Sequence, residues 1–230
     1  MVPGACDDRP MARLRSVNVG HPREAEWADI GRTSIDKRPV AGPVHAHPLG
    51  LEGDQVADTK HHGGVDQAVY AFAREDLDFW EGELGRPIRD GQFGENLTTE
   101  GIDVNQALVG ERWQIGTAVL EVASIRIPCN DFRGWQRVSG YDDTAWVRRF
   151  AAVNRPGPYL RVVEDGVLQA GDAIEVVHRP DHNVTVTTMF RALTTRRDLL
   201  PRLLQVDDLV AEARSRVERY LATSERATRP

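Results

Sequence analysis

Apolar and polar positions follow two different periods along this chain, and the shorter one comes first. From Leu14 to Gly20 they alternate well enough for an opening strand. Val44-His45-Ala46-His47 repeats that two-residue period, which puts both histidines on one face. Val65 to Phe72 and Ala118 to Ala123 are short apolar runs of buried-strand type. Tyr159–Val163 and Asp172–Val177 read as two more strands, with Asp165-Gly166 as a turn between them. Residues 109–127 predict a hairpin around Gly116-Thr117. The period lengthens at Leu77, Trp80 and Leu84, predicting an amphipathic helix over Arg74–Leu84 that Gly85, Pro87 and Gly91 end. Trp146, Val147 and Phe150 predict another over 144–153, with Asp142 or Asp143 as its N-cap. Many short strands with few helices imply a barrel or a sandwich.

After Arg179-Pro180 helical spacing takes over. Val186, Met189, Phe190 and Leu193 mark one segment, Leu199, Leu200, Leu203 and Leu204 a second, and the charged stretch 206–221 a third helix. The expected organisation is a leader over residues 1–12, a mainly β domain over 13–180 and a helical extension over 181–230. Its Leu and Val stripes need a partner surface, either the β domain or a second subunit of a homodimer.

Composition narrows the function. Of 230 residues 40% are hydrophobic and 28% charged, which allows a sizeable core. The formal net charge of −6 gives no cationic surplus for a phosphate backbone, so no nucleic-acid partner is expected. The two cysteines, Cys6 and Cys129, lie too far apart in so long a chain to form a disulfide framework, which points to a reducing, cytoplasmic setting. No stretch reaches membrane-spanning length, and Met1–Pro10 has no apolar signal core, so no membrane partner is expected. The leader is expected to be dispensable and Cys6 idle.

Candidate chemistry gathers at Ser124–Phe132. Pro128 cannot donate to a sheet ladder, so the strand entering this stretch stops near Ile127 and Cys129 falls at the rim of the core. A cation such as Arg126 near a thiol favours the thiolate, the form that binds soft metals. A small core cysteine beside a turn explains the same residue equally well. His62-Gly63-Gly64 could bring backbone N–H groups to a ligand or form an ordinary turn. Glu95-Asn96 could line a pocket or cap a turn. Lys37-Arg38 reads as an exposed basic pair. A zinc site from His45, His47, His61 or His62 with Cys129 is a further reading, although these histidines lack the HExxH spacing.

Four stretches in order, Gly50-Leu51-Glu52-Gly53-Asp54, His62–Val69, Phe93-Gly94-Glu95-Asn96-Leu97 and Pro128-Cys129, together resemble the MOSC domain family, particularly its YiiM-like branch. The resemblance spans roughly residues 14–180, and the helical tail resembles that branch's three-helix extension. It implies a β-barrel that binds molybdenum cofactor, a molybdopterin with a phosphate, with Cys129 supplying a thiolate to the metal. It places Lys37 at the cofactor's anionic end and His62, Gly63, Gly64, Glu95 and Asn96 along the same pocket, with Cys129 and His62 as the catalytic pair. It further implies two-electron reduction of small N-hydroxylated substrates, such as N-hydroxylated base analogues, with electrons from an external donor protein. The flank around Cys129 departs from the branch's more basic and aromatic pattern, so substrate choice transfers least. The alternative is a carrier of molybdenum cofactor or sulfur without turnover. No GxGxxG fingerprint for a nicotinamide or flavin cofactor is present.

Overall fold

The structure is a computed structural model that describes residues 11–60 and 62–227, the last three as backbone only. The leader with Cys6, and His61, lie outside the described residues. In chain order the strands and helices begin with β1 (Arg13–Val19), β2 (Arg23–Glu24), β3 (Arg32–Thr33), β4 (Arg38–Val40), β5 (Val44–His47), β6 (Gly50–Leu51) and β7 (Val69–Ala73). Helix α1 (Arg74–Leu84), β8 (Leu97–Glu100), β9 (Arg112–Ile115), β10 (Ala118–Ile125), α2 (Asn130–Val138) and α3 (Trp146–Val153) follow. The chain then forms β11 (Pro158–Glu164), β12 (Gly166–Leu168), β13 (Ile174–His178), α4 (Val186–Thr194), a 3-10 segment (Arg197–Gln205) and α5 (Ala211–Ala227).

Eight strands join in the order β13-β9-β10-β11-β7-β8-β1-β4. The ladders given by these neighbours are antiparallel except β7–β8, which is parallel. A parallel pair needs a crossover, and α1 supplies it, burying Leu77 and Trp80. β1 also meets the residues entering β13, with Leu14 N–H donating to the Asp172 carbonyl at 2.8 Å and Gly171 N–H to the Leu14 carbonyl at 2.7 Å. Only an isolated bridge, Arg13 to Ala173, joins the sheet there, so continuous ladder pairing around a barrel is not seen among the described residues. The architecture is sheet-dominated with several helices.

One core runs through the molecule. Leu14, Val17, Phe72, Trp113 and Val122 from the sheet share it with Val184, Met189 and Phe190 of the C-terminal segment. That segment is tied on by backbone bonds from Val109 N–H to the Val184 carbonyl and from Val186 N–H to the Ala107 carbonyl, each 3.0 Å. An aromatic knot of Trp80, Phe93, Phe132, Trp146 and Phe150 fixes α1, α2 and α3 against the loop before β8. Among the described residues no helix is long and apolar enough to cross a membrane.

Three local expectations are corrected. Cys129 opens a helix, α2, that the sequence reading did not contain. Gly134 in its middle lowers helix propensity, yet a Cβ there would stand 2.6 Å from Trp27, so packing overrides propensity. The N-cap of α3 is Ala145 at φ 51°, while Asp142 instead accepts from Thr144 N–H at 3.0 Å. The leucine-rich 199–204 segment is 3-10, with Pro201 inside it, and the third helix starts at Ala211 rather than 206.

Candidate functional site

A cleft opens where the 32–37 and 54–58 segments, with His62 and Gly63, face the ends of β7 and β10. Along one side of it Lys37, Asp54 and Asn96 form a closely bonded polar network. Lys37 lies buried, correcting the reading of an exposed pair; Arg38 alone is exposed. The Lys37 ammonium bonds Asp54 Oδ1 at 2.5 Å, and Gly20 N–H donates to the same oxygen at 2.7 Å. Asp54 Oδ2 accepts from Asn96 Nδ2 at 2.9 Å. Asn96 also donates to the Asn18 carbonyl and accepts from Tyr70 N–H, so its amide is fully used. Burial lowers the Lys37 pKa, only partly offset by Asp54, and the Arg126 cation lowers it further.

Glu95 is completely buried and faces backbone rather than the cleft. Its carboxylate accepts from Gly91 N–H, from Phe93 N–H at 2.9 Å and from the Thr98 hydroxyl at 3.1 Å. Burial pushes its pKa up to about 7, against those three bonds. Gly91 is required where it is. It sits at φ 79°, and a Cβ would meet the Lys37 carbonyl oxygen at 2.5 Å.

The opposite wall comes from β10, α2 and β11. Pro128 ends the strand extension and Cys129, half-buried and unpaired, takes the N-cap position of α2. Three residues earlier Arg126 is buried, donating from Nη1 to the Tyr159 hydroxyl at 3.0 Å. Its guanidinium lies over the Tyr70 and Phe132 rings at 5.5 and 5.4 Å. Arg126 Nε has no hydrogen-bond partner, and neither do Gln67 Oε1 and Ser34 Oγ, which line the same cleft.

Of the residues singled out from sequence, Lys37, His62, Gly63, Asn96 and Cys129 line this cleft. Gly64 lies beside it at φ 79°, leading into the turn at Val65–Gln67, and Glu95 stands behind it. His45 and His47 stack on each other at 6.2 Å on β5, away from the cleft lining. Among the described residues no three His, Cys, Asp or Glu side chains are grouped to hold a metal. Sequence reading left out Asp54, Gln67, Ser34 and Tyr159. Asp54 and Gln67 lie inside two of the motifs noted above, so their polar side chains were a usable signal; Ser34 and Tyr159 carried none.

Residues 58–175, just over half of the chain, match the MOSC domain. YflK of Bacillus subtilis, an uncharacterized protein, is 31% identical over 172 residues, covering 74% of this chain and 76% of YflK. The chain belongs to the MOSC domain family. A protein named Reductase from Gibberella moniliformis is 29% identical over 204 residues, which are 85% of this chain but only 35% of that protein. The crystal structure of YiiM from Geobacillus stearothermophilus superposes with a TM-score of 0.75 at 26% identity, covering 91% of this chain and 99% of that one. The likeness to YiiM therefore extends past the MOSC match at 175 into the C-terminal helices, and supports the YiiM-like branch.

Proposed function

We propose that this MOSC protein reduces small N-hydroxylated compounds with molybdenum cofactor bound in the cleft at Cys129. The observation that carries this reading is a set of three unpartnered buried polar atoms lining the cleft, from the 32–37 segment, the turn at Val65–Gln67 and the chain just past β10. Such atoms are costly unless a ligand meets them. Arg126 Nε needs an acceptor, Gln67 Oε1 needs a donor and Ser34 Oγ takes either. A pterin with N–H groups, sulfur and an anionic phosphate offers all of these, and Lys37 and Arg126 match its charge. A thiolate at Cys129 is the soft donor that such a metal takes. The enclosed part of the cleft, about 100 Å³, is smaller than ordinary ligand pockets, so much of a pterin would lie in the open mouth. MOSC domains are associated with molybdenum cofactor sulfurases, and one relative carries the name Reductase.

The bound cofactor would supply two-electron redox chemistry. In the overall change the N–O bond of R–NH–OH breaks, two electrons from an external donor protein and two protons enter, and R–NH2 and water leave. The chain's own part is to hold and to deliver protons. Lys37 and Arg126 fix the anionic ligand, Asp54 and Asn96 fix Lys37 and the adjoining backbone, and His62, at the meeting of two cavities, gives a proton to the departing hydroxyl. The sheet order, with β1 meeting the entry to β13, is read as a barrel whose mouth this cleft occupies.

Cys129→Ser tests the reading. The fold, followed by circular dichroism, should persist, while molybdenum content falls and turnover of N-hydroxylated substrates vanishes. Wild-type turnover in the folded serine variant would reduce Cys129 to a packing residue. Normal molybdenum uptake by a wild-type protein that turns over no substrate would favour the carrier reading.

A further inference from the structure

A separate cavity adjoins the segment that carries Lys37. Neighbouring residues there serve different spaces: Lys37 lines the cleft, whereas Asp36 and Arg38 line a cavity of about 580 Å³ that shares no lining residue with it. Its floor is aromatic and fixed. Trp135 is buried, its Nε1 donates to the Gln92 carbonyl at 2.7 Å, and Trp27 stacks on it at 6.2 Å. The Arg23 guanidinium lies over the same indole at 5.0 Å. Above this floor three guanidiniums converge on one carboxylate, since Arg23, Arg38 and Arg89 all pair with Asp36. The lining adds one further carboxylate, Glu24, so three cations face two anions. A guanidinium carries more N–H donors than one such pairing uses, and Arg23 and Arg38 are half exposed at the rim.

Two buried polar groups make this more than a structural cluster. Gln92 is only 4% exposed, yet its side-chain Nε2 has no acceptor. Ser139 Oγ, buried at the C-terminal end of α2, has no partner either. Both residues line the cavity. Leaving such groups unmet is costly, and an acceptor on a bound molecule meets both.

We infer that this cavity binds a planar aromatic carboxylate carrying a second acceptor, with that acceptor toward Gln92 and Ser139 and the carboxylate toward Arg23 and Arg38. The inference is independent of what the cleft holds. A bare anion such as phosphate satisfies the arginines but leaves the indoles and the buried amide unused. A neutral ring leaves the cationic rim unmet. A flat acid uses both, stacking on Trp27 or on a guanidinium plane while its carboxylate takes paired N–H bonds. The room agrees, since pockets for small organic ligands run from about 300 to 1,000 Å³. The site also has a fixed relation to Cys129. Cys129 caps the N-terminus of α2 and Ser139 its C-terminus, so the cavity and the cleft meet opposite ends of one nine-residue helix.

The test titrates kynurenate, a flat hydroxyquinoline carboxylate, into the full-length protein by calorimetry. The parent hydroxyquinoline, which lacks the carboxylate, and inorganic phosphate, which lacks the ring, are the comparisons. Wild type is set against Arg38→Gln and against Gln92→Met, which keeps the side chain's length and removes the amide. Asp36 keeps Arg23 and Arg89 when Arg38 is changed, so that variant should fold as wild type by circular dichroism. Gln92→Met removes an unmet donor, so its midpoint in urea should equal or exceed that of wild type. The expected result is saturable binding of kynurenate to wild type, at least tenfold weaker in each variant and for the ring without its carboxylate. Phosphate should give no saturable heat. No saturable binding of kynurenate, binding undiminished in either variant, or phosphate binding as tight as the acid overturns the inference. A strongly destabilised Gln92→Met protein overturns it as well, by showing that the amide is met within the fold.

Discussion

Two groups of polar residues at the cleft are built on opposite principles. Around Lys37, Asp54, Glu95 and Asn96 the strong donors and acceptors are met within the protein. Around Arg126, Gln67 and Ser34, polar capacity is left open. A satisfied buried network makes the fold rigid, whereas an unsatisfied one is a standing cost that a ligand removes. The first group is therefore a frame that also presents Lys37 to the ligand, the second is a receptor, and substitutions should separate them. Frame changes should cost stability, while receptor changes should cost ligand.

The largest stability loss is expected for Asp54→Ala. It leaves the Lys37 cation buried without its partner and frees Gly20 N–H, and should cost about 3–5 kcal/mol in urea unfolding. A loss below about 1 kcal/mol would show that the pair is solvated in practice.

Glu95→Ala should cost about 2–3 kcal/mol by stranding two backbone N–H groups. Glu95→Gln is the sharper probe because it isolates the titration. The folded-state pKa of Glu95, about 7, lies above the ordinary 4.5 because of burial. The unfolded chain thus releases its proton first as pH rises, and this group's stabilising contribution is full below about 4.5 and lost by about 7. Asp76, raised by burial to about 6, acts in the same sense. Stability measured between pH 4.5 and 8 should fall with rising pH in wild type and fall less in Glu95→Gln. Identical slopes would place the titration elsewhere.

On the receptor wall Arg126→Met should change unfolding by no more than about 1 kcal/mol, because removing an incompletely bonded buried cation offsets the lost ring and Tyr159 contacts. Molybdenum content should nevertheless drop several-fold. A strongly destabilised variant would assign Arg126 to the frame. Cys129→Ser should be the mildest of all for the fold, within about 0.5 kcal/mol, with the complete loss of turnover described above.

How much of this could be read from the chain depends on the range of the interactions involved. Arg74–Leu84 was legible because its period, its Gly85 stop at φ 65° and its apolar face are all local. The hairpin at Gly116 and the strand at 44–47 were legible for the same reason, whereas the strand expected over Val65–Phe72 begins only at Val69, because Val65–Gln67 form a 3-10 turn. Helix α2 was hidden because Gly134 answers to Trp27, more than a hundred residues earlier. Lys37 looked exposed because its partner, Asp54, lies 17 residues on, past a strand whose pairing brings it back. Between β1 and β13, where a barrel was expected from strand number, the described residues show one isolated bridge and a few backbone bonds. The position of Cys129 at a strand end was readable from Pro128. The unpartnered atoms around it were not, because lacking a partner is a property of the assembled molecule.

The sheet order also governs when the cleft comes into being during synthesis. β1 waits for β8, with Val17 opposite Leu97, and then meets residues 171–174; Val109 waits for Val184. Contacts of such sequence separation make slow folding, and no short stretch of the nascent chain contains both walls. Lys37 emerges from the ribosome long before Arg126 and Tyr159, and α5 later still. A ligand of this cleft therefore meets it late in folding, after both distant segments have come together, rather than templating its first contacts.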